Sequence, residues 1–135
     1  MIVVDANIIA YLLISGDRTP EAQALWRFDN DWVVPDLWRD EFLNILSTYV
    51  RQGGADLETA KKLWGSAVDL FASKERSASP LLVLELAQQY RLSAYDAQYL
   101  AVALELGVML LTEDRSFHRA VPQFSTTMQP YLQAS

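Results

Sequence analysis

Hydrophobic and polar positions along the chain fall into two alternating patterns. Residues 2–5, Ile-Val-Val-Asp, form a short β-branched run that stops at a carboxylate, and residues 32–34, closed by Pro35, and 108–111 are two further short apolar runs. Continuous apolar runs of this length predict strands buried on both faces of a parallel sheet. The segments between them have helical spacing. Residues 7–14 predict a helix apolar on nearly every face, and residues 21–28 a second helix after the turn at Gly16 to Pro20. Over 36–51, Leu37, Trp38, Phe42, Ile45, Leu46, Tyr49 and Val50 recur at helical intervals, with Gly53-Gly54 as the stop. Further helices are predicted over 57–72, 81–90 and 93–106, separated by a Ser-rich break at 73–79 and ended by Gly107. A short helix runs toward Ala120.

Strands separated by helices predict an α/β fold, a short, mainly parallel sheet flanked by helices on both faces. Ligands of such sheets bind beyond the carboxyl ends of the strands. The residues expected there are Asp5 with Asn7, and Thr112 with Asp114.

At 135 residues, 51% of them hydrophobic, the chain is expected to form one globular domain over 1–135. It has no cysteine and one histidine, so a metal would have to be held by oxygen rather than by a zinc-type donor set. No basic leader precedes residue 2 and no apolar run reaches membrane-spanning length, which predicts a soluble, cytoplasmic protein. The formal charge of -6 is the wrong sign for gripping nucleic acid by broad electrostatic contact, and so disfavours a plain binding module. It disfavours a metal enzyme less, because divalent cations cancel negative charge at the place where a phosphate must sit.

Four carboxylates carry the chemistry, and each has an ordinary structural explanation beside the functional one. Asp5 can cap the helix that follows it, and Asn7 can be a second cap or an orienting group. Asp96 stands three residues after Ser93, a capping-box spacing. Asp114 can cap the short helix toward Ala120, as can Thr112. Glu41 has no such explanation. Its helical neighbours are Leu37, Trp38, Asn44 and Ile45, none of them basic, and a polar stripe of Glu41, Asn44 and Thr48 runs along the edge of the apolar face. Asp40 is read as surface charge. Taken jointly, two strand ends and two helices each offer an acid with no local counterion. Clustered carboxylates repel one another unless a hard cation binds, and magnesium fits because it takes few carboxylates and bridges to phosphate oxygens. Two such ions about 4 Å apart can clamp both oxygens of an in-line phosphodiester displacement.

These residues lie in segments that resemble one known family. Val-Val-Asp-Ala-Asn at 3–7, Arg-Asp-Glu-Phe-Leu-Asn-Ile-Leu at 39–46, Tyr-Asp-Ala-Gln-Tyr-Leu-Ala-Val-Ala at 95–103 and Leu-Leu-Thr-Glu-Asp at 110–114 follow the order of the PIN-domain ribonucleases, and most closely of the VapC-type toxins of toxin-antitoxin pairs. The resemblance implies a PIN-like three-layer fold and metal ligation by Asp5, Glu41, Asp96 and Asp114, with Asn7 and Thr112 in support. It also implies Mg2+ or Mn2+ as cofactor and hydrolysis of RNA to 5′-phosphate and 3′-hydroxyl ends. Partners implied are a second copy of the chain and a cognate antitoxin with a basic tail. The surplus of apolar residues on helix 7–14 (Ile8, Ile9, Tyr11, Leu12, Leu13, Ile14) is a candidate interface. The alternatives are a catalytically silent PIN-like module that binds RNA or protein, and an aspartate-based phosphohydrolase or receiver domain. The latter needs a lysine at the site, whereas Lys61, Lys62 and Lys74 all lie far in sequence from the strand ends. His118, Arg115 and Arg119 are read as helix-end or solvated residues.

Overall fold

The computed structural model describes residues 1–134. Five parallel strands form its centre: β1 (Ile2–Val4), β2 (Trp32–Pro35), β3 (Glu75–Arg76), β4 (Leu110–Leu111) and β5 (Ser125–Thr126). They lie side by side in the order β3-β2-β1-β4-β5, with Ile2 opposite Trp32 and Val3 opposite Leu110. β1 is central, and all three of its residues are apolar and buried, as a strand covered on both faces requires. Helices α1 (Ala6–Leu13), α2 (Thr19–Phe28), α3 (Trp38–Arg51), α4 (Leu57–Phe71), α5 (Pro80–Tyr90), α6 (Ala94–Leu106), α7 (Arg115–Ala120) and α8 (Met128–Gln133) connect and cover the strands.

The pleat divides the core into two layers. Ile2, Val4, Trp32 and Val34 point to one face, where they pack with α1, α2, α3, α4 and α8, whereas Val3 and Val33 join α5, α6 and α7 on the other. Trp26, Trp32, Trp38 and Trp64, the four tryptophans of the chain, all belong to the first layer. There Trp32 stacks on Phe71 at 6.0 Å and Trp38 on Trp64 at 5.9 Å. In the second layer Ala97, Ala101 and Ala103 of α6 are buried among larger residues such as Tyr99, Leu100 and Phe117, and their small side chains let that helix lie close to β1 and β2. The α/β architecture expected from the sequence is therefore the one observed. Among the described residues no helix is long and apolar enough to cross a membrane.

Several boundaries shift. The Ser-rich break holds β3, and β5 and α8 follow α7 where no element was expected. Two-residue strands have no periodicity to read; β3 exists because Val34 and Pro35 of β2 offer it a partner, and β5 because β4 does. The expected surplus of apolar surface on α1 is mostly consumed. Ile8 and Ile9 are fully buried, and Tyr11 to Ile14 are half-buried against the first core layer.

Candidate functional site

All strands point their carboxyl ends the same way, and the residues that follow them meet over one end of the sheet. A cleft of about 570 Å³ lies there, lined by Asp5, Asn7, Glu41, Asp96 and Asp114 together with Asp40 and Tyr99. All four acids singled out by sequence are thus brought together. Thr112 lies just beneath, fully buried.

Each acid is set by its local structure. Asp5 ends β1 and begins α1, with Oδ1 accepting from the Ile8 backbone N–H at 3.3 Å. Its Oδ2 accepts from the Thr112 hydroxyl. The same Thr112 oxygen accepts from the Asp114 backbone N–H at 3.1 Å, so one buried hydroxyl ties the end of β1 to the end of β4. Asp114 in turn caps α7 through Phe117 N–H at 3.1 Å. Glu41 sits in the first turn of α3, and the Tyr99 hydroxyl donates to its Oε1 at 2.6 Å. Asp96 sits in the first turn of α6, whose N-cap Ser93 accepts from its backbone N–H at 3.0 Å, and no hydrogen bond within the described residues engages its carboxylate. The capping roles expected of Asp5 and Asp114 are therefore real and coexist with membership of the cleft.

Tyr99 and Asp40 are the residues the sequence did not mark. Tyr99 lies three residues after Asp96 in an apolar helix, where an aromatic side chain reads as core; it is core, but its hydroxyl reaches the cleft. Asp40 is exposed, as expected, yet lines the cleft. His118 is a packing residue: its Nδ1 lies 2.7 Å from Ser125 Oγ.

The electrostatics of the cleft are one-sided. Burial pushes the Asp5 carboxyl up to about 7, with the charges of Glu41 and Asp114 adding to the effect. Burial, then Asp114 and Glu41, push Asp96 up to about 6, and burial also raises Glu41. Among the described residues no lysine or arginine forms an ion pair with any of the four acids. The donor set is all oxygen, partly buried and mutually repelling, which suits a hard divalent cation. No three carboxylate or imidazole side chains among the described residues already converge tightly enough to chelate an ion directly.

Comparison with known proteins places this arrangement. The chain matches the PIN domain family over residues 2–121. It is 30% identical over 128 residues to Ribonuclease VapC3 of Pyrobaculum aerophilum, covering 93% of this chain and 98% of that protein. Among solved structures, PAE2754 from Pyrobaculum aerophilum superposes with a TM-score of 0.76 at 24% identity, covering 98% of this chain and 94% of its own. A toxin-antitoxin complex from Klebsiella pneumoniae superposes with a TM-score of 0.64 at 22% identity, covering 95% and 98%. At these identities the two structures speak to the fold alone. The family match over most of the chain, together with the full-length relative, shows that this protein belongs to the PIN-domain family, alongside its VapC-type members.

Proposed function

We propose that the protein is a divalent-metal-dependent endoribonuclease and acts as the toxin of a toxin-antitoxin pair. The observation that carries the reading is the convergence of Asp5, Glu41, Asp96 and Asp114 from four separate elements on one cleft with no cationic partner. A catalytically silent module would have no use for carboxylates held at a cost in the absence of a counterion. The 30% identical relative, Ribonuclease VapC3, supports both ribonuclease activity and a place among the VapC-type toxins.

Asp5, Glu41, Asp96 and Asp114 would hold Mg2+ or Mn2+, which when bound supplies charge stabilisation at the phosphate and activation of water. The side chains prepare this. Thr112 and the Ile8 N–H hold the two oxygens of the Asp5 carboxylate in place. Tyr99 fixes one oxygen of Glu41 and leaves the other available. The Asp96 carboxylate, half-buried and with a raised pKa, makes no hydrogen bond among the described residues and can accept a proton or a ligand. Water adds to phosphorus, the bond to the 3′-oxygen breaks, and the products carry 5′-phosphate and 3′-hydroxyl ends.

The VapC-type resemblance supports two protein contacts, with a second copy and with a small antitoxin whose basic tail is complementary to the acidic cleft. A cytoplasmic location follows from that role. Light scattering at micromolar concentration, repeated with Leu12→Glu on α1, tests self-association: a dimer weakened by the substitution is expected, and a monomeric wild type counts against it. Incubation with total RNA, with and without EDTA, tests the activity itself. Cleavage that EDTA abolishes and that leaves 5′-phosphates is expected; cleavage unaffected by EDTA, or none with either metal, overturns the reading.

A further inference from the structure

The acidic cleft does not end at the carboxylates. A second cavity of about 440 Å³ adjoins it, and Asn7, Asn44 and Ile45 line both. It lies between α1 and α3, and its wall is of a different kind. The stripe seen in the sequence at Glu41, Asn44 and Thr48 continues to Gln52, so that the stripe passes from a carboxylate in the first cavity to amides and a hydroxyl in the second. Two aromatic side chains, Tyr11 of α1 and Tyr49 of α3, also line the second cavity. The amides of Asn44 and Gln52 are exposed, and neither hydrogen-bonds to another described residue.

The walls are held in place before any ligand arrives. Tyr49 lies across Gly54, where a Cβ would come within 2.1 Å of the ring, so the glycine lets the chain pass beneath the tyrosine. On the opposite side the Thr19 hydroxyl donates to the Tyr11 carbonyl at 2.6 Å and accepts from the Gly16 N–H at 3.0 Å, which ties down the turn after α1. Arg18 lies over the Tyr11 ring at 5.1 Å and is neutralised by Glu21 and Glu113.

Resting on the ribonuclease reading, we propose that this second cavity holds the base of a nucleotide flanking the scissile phosphodiester of single-stranded RNA. Tyr49 supplies a stacking surface, and Asn44 and Gln52 supply the hydrogen bonds that select among bases. Three features favour this occupant. The cavity is contiguous with the cleft where the phosphate must sit. Its size lies within the range of small-ligand sites. Its combination of aromatic rings with neutral donors and acceptors is how unpaired bases are read. A protein of net charge -6 gains little from broad contact with the phosphate backbone away from a metal site, so stacking and edge contacts carry more of the affinity there.

The test uses a pool of randomised single-stranded oligoribonucleotides with Mn2+, with the cut ends sequenced. The wild type is expected to prefer particular bases at one position beside the cut. Asn44→Ala and Gln52→Ala, both at exposed positions, should flatten that preference, while Tyr49→Ala should raise KM by about tenfold or more with kcat changed little. Gly54→Ala, which displaces the ring without removing it, should shift KM in the same direction. Unchanged cut profiles and KM in all four variants would overturn the subsite. Anisotropy of a labelled RNA pool with Asp5→Asn, with and without Tyr49→Ala, gives a readout that needs no cleavage. Tyr49-dependent RNA binding together with a wild type that cuts no RNA would uphold the subsite and refute the nuclease reading. If the variants leave RNA binding intact and instead weaken self-association in light scattering, the cavity belongs to a protein interface and the proposal fails.

Discussion

Asp5 and Glu75 are both carboxylates carried by the central sheet, and their surroundings are opposite. Glu75 lies on the edge strand β3, where Arg39 donates to it from Nε at 2.7 Å and from Nη2 at 2.9 Å, and the buried Trp38 indole donates at 2.9 Å. These donors, the Arg39 guanidinium foremost, hold the Glu75 carboxyl below the usual range. Asp5 has a hydroxyl and one backbone N–H for partners, other acids for neighbours, and a pKa pushed up to about 7. Glu113 extends the contrast: it sits beside Asp114 in sequence, yet is paired with Arg18 and accepts from the Met128 N–H at 2.7 Å. The chain thus supplies cations to its structural acids and withholds them from the cleft. A carboxylate compensated from within stabilises the fold, whereas one left uncompensated is available to an ion from outside.

Substitutions that neutralise each kind of acid should separate the two regions most widely in catalysis. Asp5→Asn, Glu41→Gln and Asp96→Asn should each reduce metal-dependent RNA cleavage by at least the roughly 100-fold reached by outer-shell changes around metals, with circular dichroism unchanged. Asp40→Asn, at the rim, and Glu58→Gln, on α4, should stay within a few-fold of wild type.

A second separation is expected in how stability depends on pH. The folded pKa of Asp5 lies above its ordinary value, so its contribution favours folding at low pH. That contribution is lost as the pH rises from about 4 through about 7, because the unfolded chain gives up the proton first. Metal-free wild type should therefore be less stable at pH 8 than at pH 5, by up to about 3 kcal/mol from this group. Asp96 acts in the same direction. Asp5→Asn should flatten the slope in denaturant titrations, and an unchanged slope would mean that Asp5 is not the source.

Thr112→Val removes the hydroxyl that joins Asp5 to Asp114 while keeping the buried shape. Metal affinity, followed by Mn2+ titration, should fall roughly tenfold. The smallest effect belongs to the compensated acid. Glu75→Gln should lower stability by about 1–2 kcal/mol, the scale of a partly exposed charged hydrogen-bond network, with RNA cleavage retained.

Much of this contrast was legible in the sequence, and the reason is local. Glu41 stood out because no basic residue lies one helical turn away, and the strand-end positions of Asp5 and Asp114 followed from the apolar runs before them. What the sequence hid depends on distant pairing. The Arg39–Glu75 contact joins residues 36 apart, across an edge strand only two residues long. The Tyr99–Glu41 contact spans 58 residues and originates in an apolar helix. Which apolar residues of α1 are consumed depends on the fold in the same way: Ile8 and Ile9 are buried by packed helices, while Tyr11 to Ile14 stay half-exposed.

The central claim is that the four uncompensated acids form a divalent-ion site. It is tested most directly by the melting temperature of wild type and Asp96→Asn at neutral pH, each with and without millimolar MgCl2 or MnCl2. An ion that binds only the folded state at about 100 times its dissociation constant adds about 2.7 kcal/mol, so the wild type should gain several degrees. Asp96→Asn should start at or above the metal-free wild type and gain much less. Equal gains in the two proteins, or no gain in either, would contradict the account.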